Sequence, residues 1–305
     1  MPRFLSIGEC MIELASLGGD MMRKGFAGDT FNTAWYARAF LSESWSVEYF
    51  TALGDDRASG EMLEFMASAG VDTGRIRRLA GRAPGLYMIH LDQGERSFSY
   101  WRSVSAARQL ADDREVLQAA IEASDAIYFS GITLAILAPE ARRTLLELTQ
   151  NARDGGKTVA FDPNIRPRLW TDKREMLSSI SEAAATASIV LPGFDDEAAH
   201  FGDSSVEQTI GRYHGLGVAS VVVKDGANGA TISERGTVTH IPAHPPAAVV
   251  DTTSAGDSFN GGYLARLAVG DSPSDAARFA ARVASAVIGQ PGALISGETL
   301  GLQPS

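Results

Sequence analysis

A run of small residues that leads into an apolar helical pattern could bind an anion. The run reads Asp-Thr-Thr-Ser-Ala-Gly-Asp at positions 251–257, and helical spacing continues over 258–264. Small side chains let backbone N–H groups approach an anion, and the first turn of a helix adds unpaired donors and the positive end of the dipole. Asp257 would lie beside that anion, where a carboxylate can accept the proton of a hydroxyl. These parts could move a phosphoryl group onto an alcohol.

The same aspartate has a simpler interpretation as a helix cap. Asp is a favourable N-cap residue, and Ser and Gly are common in turns. Glycine-rich helix starts also occur in many unrelated proteins. The motif alone therefore leaves both interpretations of Asp257 open.

The rest of the chain predicts the scaffold that must position this motif. Short apolar runs predict strands at 3–8, 47–52, 126–130, 158–162, 189–191 and 220–224, and longer periodic segments predict helices at 30–41, 58–69 and 139–152. This alternation predicts an α/β fold with a largely parallel sheet covered by helices on both faces. Ligands of such sheets bind beyond the carboxyl ends of the strands, where the polar groups 162–166 and 224–226 lie.

Two segments interrupt the alternation and predict a second, smaller sheet. Residues 10–26 and 85–101 have short β-patterns, and 86–91 and 96–101 flank a turn at 92–94 as in a hairpin. We expect one domain spanning 1–305, with a lid formed by segments about 10–27 and 84–108. Such a lid would close over a substrate and exclude water. An ordinary surface hairpin is the alternative.

Composition excludes several classes of protein. A net charge of −10 argues against nucleic acid as a partner, and no apolar run approaches the ~18–20 residues of a membrane span. The single cysteine, Cys10, excludes an internal disulfide and suits the reducing cytoplasm. The five histidines show no metal-ligand spacing. No Gly-x-Gly-x-x-Gly follows the first strand, which argues against a dehydrogenase.

Four motifs together resemble those of the ribokinase-like (PfkB) carbohydrate kinases, in the order of that family. They are Gly8-Glu9, Gly28-Asp-Thr-Phe-Asn32, Asp162-Pro-Asn164 and the run at 251–257. The resemblance implies a three-layer sandwich with a largely parallel central sheet flanked by helices, plus a small β-sheet lid. It also implies phosphorylation of a carbohydrate hydroxyl with ATP and Mg²⁺.

Within that family, the 2-keto-3-deoxygluconate kinases are the most similar group. The similarity lies in residues 8–14, 27–34, 100–102, 162–166 and 195–197. It implies a keto-deoxy sugar acid as substrate, phosphorylated on its terminal hydroxyl to the 6-phosphate. Another sugar kinase of the family, acting on fructose, keto-deoxygalactonate or a nucleoside, stays open, as does a catalytically silent protein that binds a sugar acid.

The resemblance assigns roles to individual residues. Asp257 would be the general base, while the backbone of Ser254, Ala255 and Gly256 and the side chain of Arg166 would stabilise the transferred phosphoryl group. The substrate would contact a second set of residues: Gly28, Asp29, Asn32, Tyr87, Tyr100, Arg102, Arg166 and Asp257.

A substrate carboxylate requires a cation that kinases of neutral sugars can omit. Arg102 and Arg166 can supply one, since arginine binds carboxylates and phosphates with a two-pronged donor fork. The alternative for Arg102 is a solvated arginine at a hairpin end. Either Glu9 or Glu13 would hold sugar hydroxyls, and the sequence does not decide between them.

The resemblance also implies a nucleotide site and two cation sites. Lys224-Asp-Gly-Ala-Asn-Gly229 is similar to the ATP-binding turn of the family, although alone it predicts only a hairpin turn. The residues implied in cofactor binding are Asn164, Lys224, Gly226, Gly229, Ser254 and Gly256. In the Asn-x-x-Glu motif that organises Mg²⁺ through water, Gly193 replaces the asparagine and Asp196 matches the glutamate. Asp251 and Thr253, with carbonyls near 289–292, resemble a monovalent-cation site for K⁺.

Two expectations concern the assembly and the partners of the protein. The exposed edge of the small sheet could pair with a second copy, giving a homo-oligomer. Small-molecule partners, a sugar acid and ATP, are expected, and nucleic acid and membrane are not.

Overall fold

The computed structural model describes residues 1–92 and 95–302, and its strands build a large and a small sheet. The strands are β1 (Arg3–Ile7), β2 (Met11–Gly18), β3 (Met21–Ala27), β4 (Ser46–Phe50), β5 (Ala52–Gly54), β6 (Arg77–Leu79), β7 (Leu86–Asp92), β8 (Glu95–Trp101), β9 (Ala126–Ser130), β10 (Thr158–Asp162), β11 (Ile189–Val190), β12 (Ser220–Lys224), β13 (Ala230–Glu234) and β14 (Thr237–Ile241). An eight-stranded sheet has the order β14-β13-β12-β11-β10-β9-β1-β4. Only the pairings of β13 are antiparallel, so the predicted, largely parallel sheet is confirmed.

Helices cover both faces of this sheet, as the alternation of patterns predicts. They are α1 (Asp29–Phe40), α2 (Arg57–Ser68), α3 (Arg114–Glu122), α4 (Gly131–Ile136), α5 (Pro139–Asp154), α6 (Lys173–Thr186), α7 (Phe194–Phe201), α8 (Val206–Gly215), α9 (Ala255–Ala268), α10 (Pro273–Ile288) and α11 (Gly297–Leu300). α1, α9 and α10 pack on one face, and α3, α5, α6 and α8 pack on the other.

Successive residues of the central strands belong to two different hydrophobic cores. Phe4 and Tyr128 point into the core under α1 and α9, while their neighbours Leu5 and Phe129 point into the core under α3 and α5. Side chains alternate along a strand, so a strand covered on both faces must be apolar throughout. The continuous apolar runs in the sequence have this cause.

A four-stranded sheet in the order β3-β2-β7-β8 is separate from the large one. β7 and β8 form the predicted antiparallel hairpin, and β2 pairs in parallel with β7 from Ile12 opposite Leu86. The small sheet predicted from the two irregular segments is therefore confirmed. Gln93 and Gly94 of the predicted turn lie outside the described residues. Among those described, no helix combines the length and apolar character that crossing a bilayer requires.

The helix predicted at 30–41 begins one residue earlier, at Asp29, although Asp29 and Thr30 are residue types that favour the cap position. Gly28 is the N-cap and makes no side-chain capping bond. A Cβ atom at Gly28 would lie 2.1 Å from the carbonyl oxygen of Glu9, so only glycine fits there. Close packing of the helix start against the segment after β1 overrides the capping preference that sequence reading relies on.

Candidate active site

The carboxyl ends of β10 and β12 meet the first turns of α9 in a buried polar cluster. Asp162, the last residue of β10, accepts hydrogen bonds from Lys224 Nζ at 2.8 Å and from Asn260 Nδ2 at 2.6 Å. Lys224 Nζ also donates to Asn260 Oδ1 at 3.0 Å. Parallel strands end at the same edge of the sheet, so residues distant in sequence converge there.

Asp257 lies in the first turn of α9, beside this cluster. Its Oδ2 accepts a hydrogen bond from Asn32 Nδ2 at 2.8 Å. Burial raises the pKa of the Asp257 carboxyl to about 7, and the nearby charge of Asp29 acts in the same direction, while Asn32 and Lys224 oppose the shift. A carboxyl with a pKa near 7 is well matched to proton transfer at neutral pH.

Asp29 and Asn164 form the neighbouring part of the site. Asn164 Nδ2 donates to Asp29 Oδ2 at 2.8 Å, and Asn164 has a φ of 32°, uncommon outside glycine. Burial raises the pKa of the Asp29 carboxyl, although hydrogen bonds from Ser130 and Asn164 oppose the shift. The structure thus brings four predicted site residues together: Asp29, Asn32, Asn164 and Asp257.

The backbone of 254–257 forms the start of α9 with Ser254 as its N-cap. Ser254 adopts a left-handed conformation with a φ of 64°. Its Oγ is buried and has no hydrogen-bond partner among the described residues. The cap residue therefore leaves the N–H groups of the first helical turn without a side-chain bond, as an anion site at a helix N-terminus requires.

We expect glycine to be the more stable replacement for Ser254. A residue with a Cβ atom costs about 1–2 kcal/mol in the left-handed region, and glycine avoids that cost. Ser254→Gly should therefore unfold at a higher temperature than Ser254→Ala, with a difference of about 1 kcal/mol in the free energy of unfolding. Both variants lose the hydroxyl, so thermal denaturation of the pair isolates the backbone effect. An alanine variant as stable as the glycine variant would contradict the strain.

Glu9 and Arg102 form a buried ion pair between the end of β1 and the end of β8. Arg102 Nη2 donates to Glu9 Oε2, and the hydroxyl of Ser105 donates to Glu9 Oε1. Arg102 is only 9% exposed, so the alternative of a solvated surface arginine is wrong. Its Nε is buried and has no partner among the described residues. One donor of the guanidinium is thus left without an acceptor by residues 1–92 and 95–302.

Glu13 lies on β2, and its side chain is hydrogen-bonded within the small sheet. Tyr87 donates its hydroxyl proton to Glu13 Oε2, and both side chains are buried. Because a tyrosine has one proton to donate, a hydrogen bond from Tyr87 to a substrate would require this bond to be exchanged. Tyr100 is about half exposed, and its ring lies 6.0 Å from that of Tyr87.

The turn after β12 is the hairpin that its sequence predicts, pairing β12 with β13. Gly229 has a φ of 95°, and a Cβ atom there would lie 2.1 Å from the carbonyl oxygen of Ile241, so the turn itself requires this glycine. Gly226, with a φ of 50°, is also in the left-handed region. The side chain of Lys224 points away from the turn, because its ammonium is hydrogen-bonded to Asp162 and Asn260 in the cluster at the strand ends.

Arg166 and Asp196 form an exposed ion pair at the start of α7. Arg166 Nη1 lies 3.2 Å from Asp196 Oδ2. The neighbouring Glu197 is fully buried and accepts from Tyr213 and Arg212, with its pKa raised to about 7 by burial. Within 1–92 and 95–302, no group of three or more His, Cys, Asp or Glu could hold a metal ion. The carboxylate of Asp196 suits a Mg²⁺ ion that is bound mainly by water and phosphate, since Mg²⁺ takes few protein ligands in such sites.

The carboxylate of Asp251 organises the loop that precedes α9. Asp251 Oδ1 accepts from the backbone N–H of Thr253 at 2.9 Å, and Oδ2 accepts from that of Gly292 at 2.8 Å. Asp251 and the segment at 289–292 are therefore adjacent, as the resemblance implies.

Sequence reading did not assign roles to three residues of the cluster: Asp162, Asn260 and Tyr128. Asn260 lies three residues after Asp257, so helical spacing could have placed both on one face of α9. Asp162 follows a predicted strand, which is also a recognisable signal. Tyr128, whose hydroxyl oxygen lies 3.2 Å from Asn260 Nδ2, is in the middle of an apolar strand and gives no such signal.

A helix start without a side-chain cap, beside a buried carboxyl with a pKa near 7, suits the transfer of a phosphoryl group to a hydroxyl. The chain belongs to the pfkB family carbohydrate kinases, whose family model matches residues 1–300. It is 43% identical over 301 residues to the 2-dehydro-3-deoxygluconokinases of Dickeya dadantii (strain 3937) and Escherichia coli (strain K12), covering 96% of this chain and 97% of each relative. The crystal structure of the PfkB protein from Polaromonas sp. JS666 is 26% identical, with a TM-score of 0.84 over 99% of both chains.

Proposed function

We propose that this protein transfers the γ-phosphoryl group of ATP to the terminal hydroxyl of 2-keto-3-deoxygluconate, also named 2-dehydro-3-deoxygluconate, to give the 6-phosphate. The observation that carries the proposal is the placement of Asp257, with its raised pKa, in the first turn of a helix that has no side-chain cap. The relatives at 43% identity support the choice of sugar acid.

Asp257 acts as the general base in this proposal. It accepts the proton of the terminal hydroxyl while the hydroxyl oxygen attacks the γ-phosphorus and the bond from that phosphorus to the leaving ADP oxygen breaks. The backbone N–H groups of 254–257 and the guanidinium of Arg166 stabilise the charge on the transferred group. Positioning and electrostatic stabilisation supply most of the acceleration in phosphoryl transfer.

Arg102 is the proposed contact of the substrate carboxylate. Its buried Nε has no acceptor in the part of the chain that the structure describes, while its Nη2 is fixed on Glu9, so the guanidinium is held in one orientation. A carboxylate would complete its hydrogen bonding, and a fixed arginine loses little entropy on binding. Tyr100 lies on β8, which ends one residue before Arg102, and contributes from the small sheet. Asp29 and Asn32, with the backbone at Gly28, would bind the sugar hydroxyls.

The nucleotide and metal assignments extend the proposal. Asn164 and the turn containing Gly226 and Gly229 would bind ATP with Lys224, and Asp196 would hold Mg²⁺ through water. Bound Mg²⁺ would neutralise charge on the phosphates. Asp251 and Thr253, with the carbonyls of 289–292, would hold K⁺. The small sheet would act as a lid on a single domain in the cytoplasm.

A coupled assay with a panel of acceptors tests the substrate. We expect kcat/KM for 2-keto-3-deoxygluconate to exceed that for fructose and adenosine by about tenfold or more, because a site built for a carboxylate rejects acceptors that leave it unpaired. The same assay with 2-keto-3-deoxygalactonate, which has the carboxylate, reports which configuration at C4 is accepted. Fructose or adenosine as the preferred acceptor would refute the sugar-acid assignment. Tight binding of the sugar acid without product would instead support a silent binding protein.

A further inference from the structure

The side chain of Lys224 is held by two buried partners at the base of the candidate active site. Nζ donates to Asp162 Oδ2 at 2.8 Å and to Asn260 Oδ1 at 3.0 Å. Asp162 and Asn260 are themselves buried, and they are joined by a hydrogen bond of 2.6 Å. An ammonium has three donors, so two bonds fix its position and a third donor remains for another acceptor.

The ammonium borders the helix turn that would bind the phosphoryl group. A Cβ atom built on Gly256 would lie 3.6 Å from Lys224 Nζ, and no other atom beyond the adjacent turn lies within 4 Å of it. The face of Gly256 that has no side chain is therefore open except for this cation. An anion bound by the N–H groups of Gly256 and Asp257 would lie next to a positive charge.

We propose that Lys224 is a catalytic residue that contacts the transferred phosphoryl group, and that Asp162 and Asn260 are positioning residues that hold its ammonium. This inference rests on the proposed function and deepens it, since it moves Lys224 from the nucleotide-binding turn to the reacting group. Charge develops on the peripheral oxygens of the phosphoryl group, and a preorganised cation in a buried site stabilises it strongly.

Lys224 has a second effect, on the base itself. Asp257 faces two other carboxylates, Asp29 and Asp162, whose charges raise its pKa, whereas the charge of Lys224 lowers it. The phenols of Tyr36 and Tyr128 also face this group. The charge of Lys224 opposes those of the two carboxylates, so it helps to keep the base ionised near neutral pH.

The test compares Lys224→Met with wild type and with Lys173→Met, a matched control at an exposed lysine on α6. We expect Lys224→Met to lower kcat by about 10²–10³-fold, as for loss of a preorganised donor, and Lys173→Met to leave it unchanged. Affinity for MgADP alone should stay within about threefold. Affinity for MgADP with aluminium fluoride and sugar acid, which mimics the transition state, should fall by about 100-fold. The acid limb of the kcat/KM profile should move to higher pH.

Two results would overturn the inference. If the affinity for MgADP falls equally with and without aluminium fluoride and sugar acid, Lys224 binds the nucleotide and not the transferred group. If neither affinity changes, Lys224 does not take part in the reaction. If Lys224→Met does not fold, Lys224→Gln, which keeps an N–H donor for Asp162, allows the same comparison. Wild-type turnover judges the proposed function separately, because the ratio of variant to wild type can be measured with whichever acceptor is used.

Discussion

Asp257→Asn should lower kcat by about 10²–10⁴-fold while leaving the affinity for ATP nearly unchanged, because the variant keeps the shape of the side chain but cannot accept a proton. Steady-state kinetics and a direct ATP-binding measurement together check this expectation. In the wild-type enzyme, kcat/KM should fall about tenfold per pH unit below the pKa of about 7, as protonation removes the base. Wild-type turnover in the variant would exclude Asp257 as the base.

The same substitution should change the pH dependence of stability in the opposite sense to activity. The pKa of Asp257 is about 7 in the folded protein and near its ordinary value of 3.8 when unfolded, so the folded protein binds the proton more tightly. The resulting stabilisation is full below pH ~4 and is lost as the pH rises through 7. At pH 8 Asp257→Asn should therefore have the higher melting temperature, and the difference should shrink toward pH 5. A constant difference across this range would contradict the raised pKa.

Arg102→Met should cost about 3–5 kcal/mol of stability, because it leaves the carboxylate of Glu9 buried without its cation. Chemical denaturation of the variant and of the double variant Glu9→Gln, Arg102→Met checks the cause. The double variant removes both charges, so it should recover part of the lost stability. A double variant less stable than Arg102→Met would show that the charge of Glu9 is not the source of the cost.

Arg102 should also determine the preference for an acidic over a neutral acceptor. Arg102→Met, assayed where it is folded, should raise KM for the sugar acid more than for a neutral sugar, since only the acid loses a charge partner. An equal rise for both acceptors would assign Arg102 to stability alone. Comparison with Glu9→Gln, which keeps the guanidinium, separates the two roles.

The sequence predicted the scaffold well because that scaffold depends on local patterns. Continuous apolar runs mark strands buried on both faces, and β9, β10 and β12 have the predicted bounds. The motif at 251–257 was placed on a helix start for the same reason. The prediction was weaker where packing decides, as at Gly28, whose capping role follows from its contact with the backbone of Glu9.

The contacts of the site could not be predicted from spacing alone. Lys224 follows its strand as part of a turn, yet a lysine side chain is long enough to reach Asp162, two strands away in the sheet. The ion pair of Glu9 with Arg102 joins residues 93 positions apart, and nothing local indicates it. Long-range pairs of this kind depend on the arrangement of the two sheets.

The distribution of residues over two sheets has a consequence for how new activities could arise. Asp257 and its neighbours lie on α9 and at the strand ends of the large sheet. Tyr87 and Tyr100 lie in the small sheet, and Arg102 directly follows its strand β8. If these residues have the proposed roles, substitutions in the small sheet should change the acceptor without disturbing the residues proposed to transfer the phosphoryl group. Glu9 limits this independence, because its carboxylate holds Arg102 while its carbonyl oxygen packs against Gly28 at the start of α1. Divergence of acceptor preference should thus be freest at Tyr100 and most constrained at Glu9.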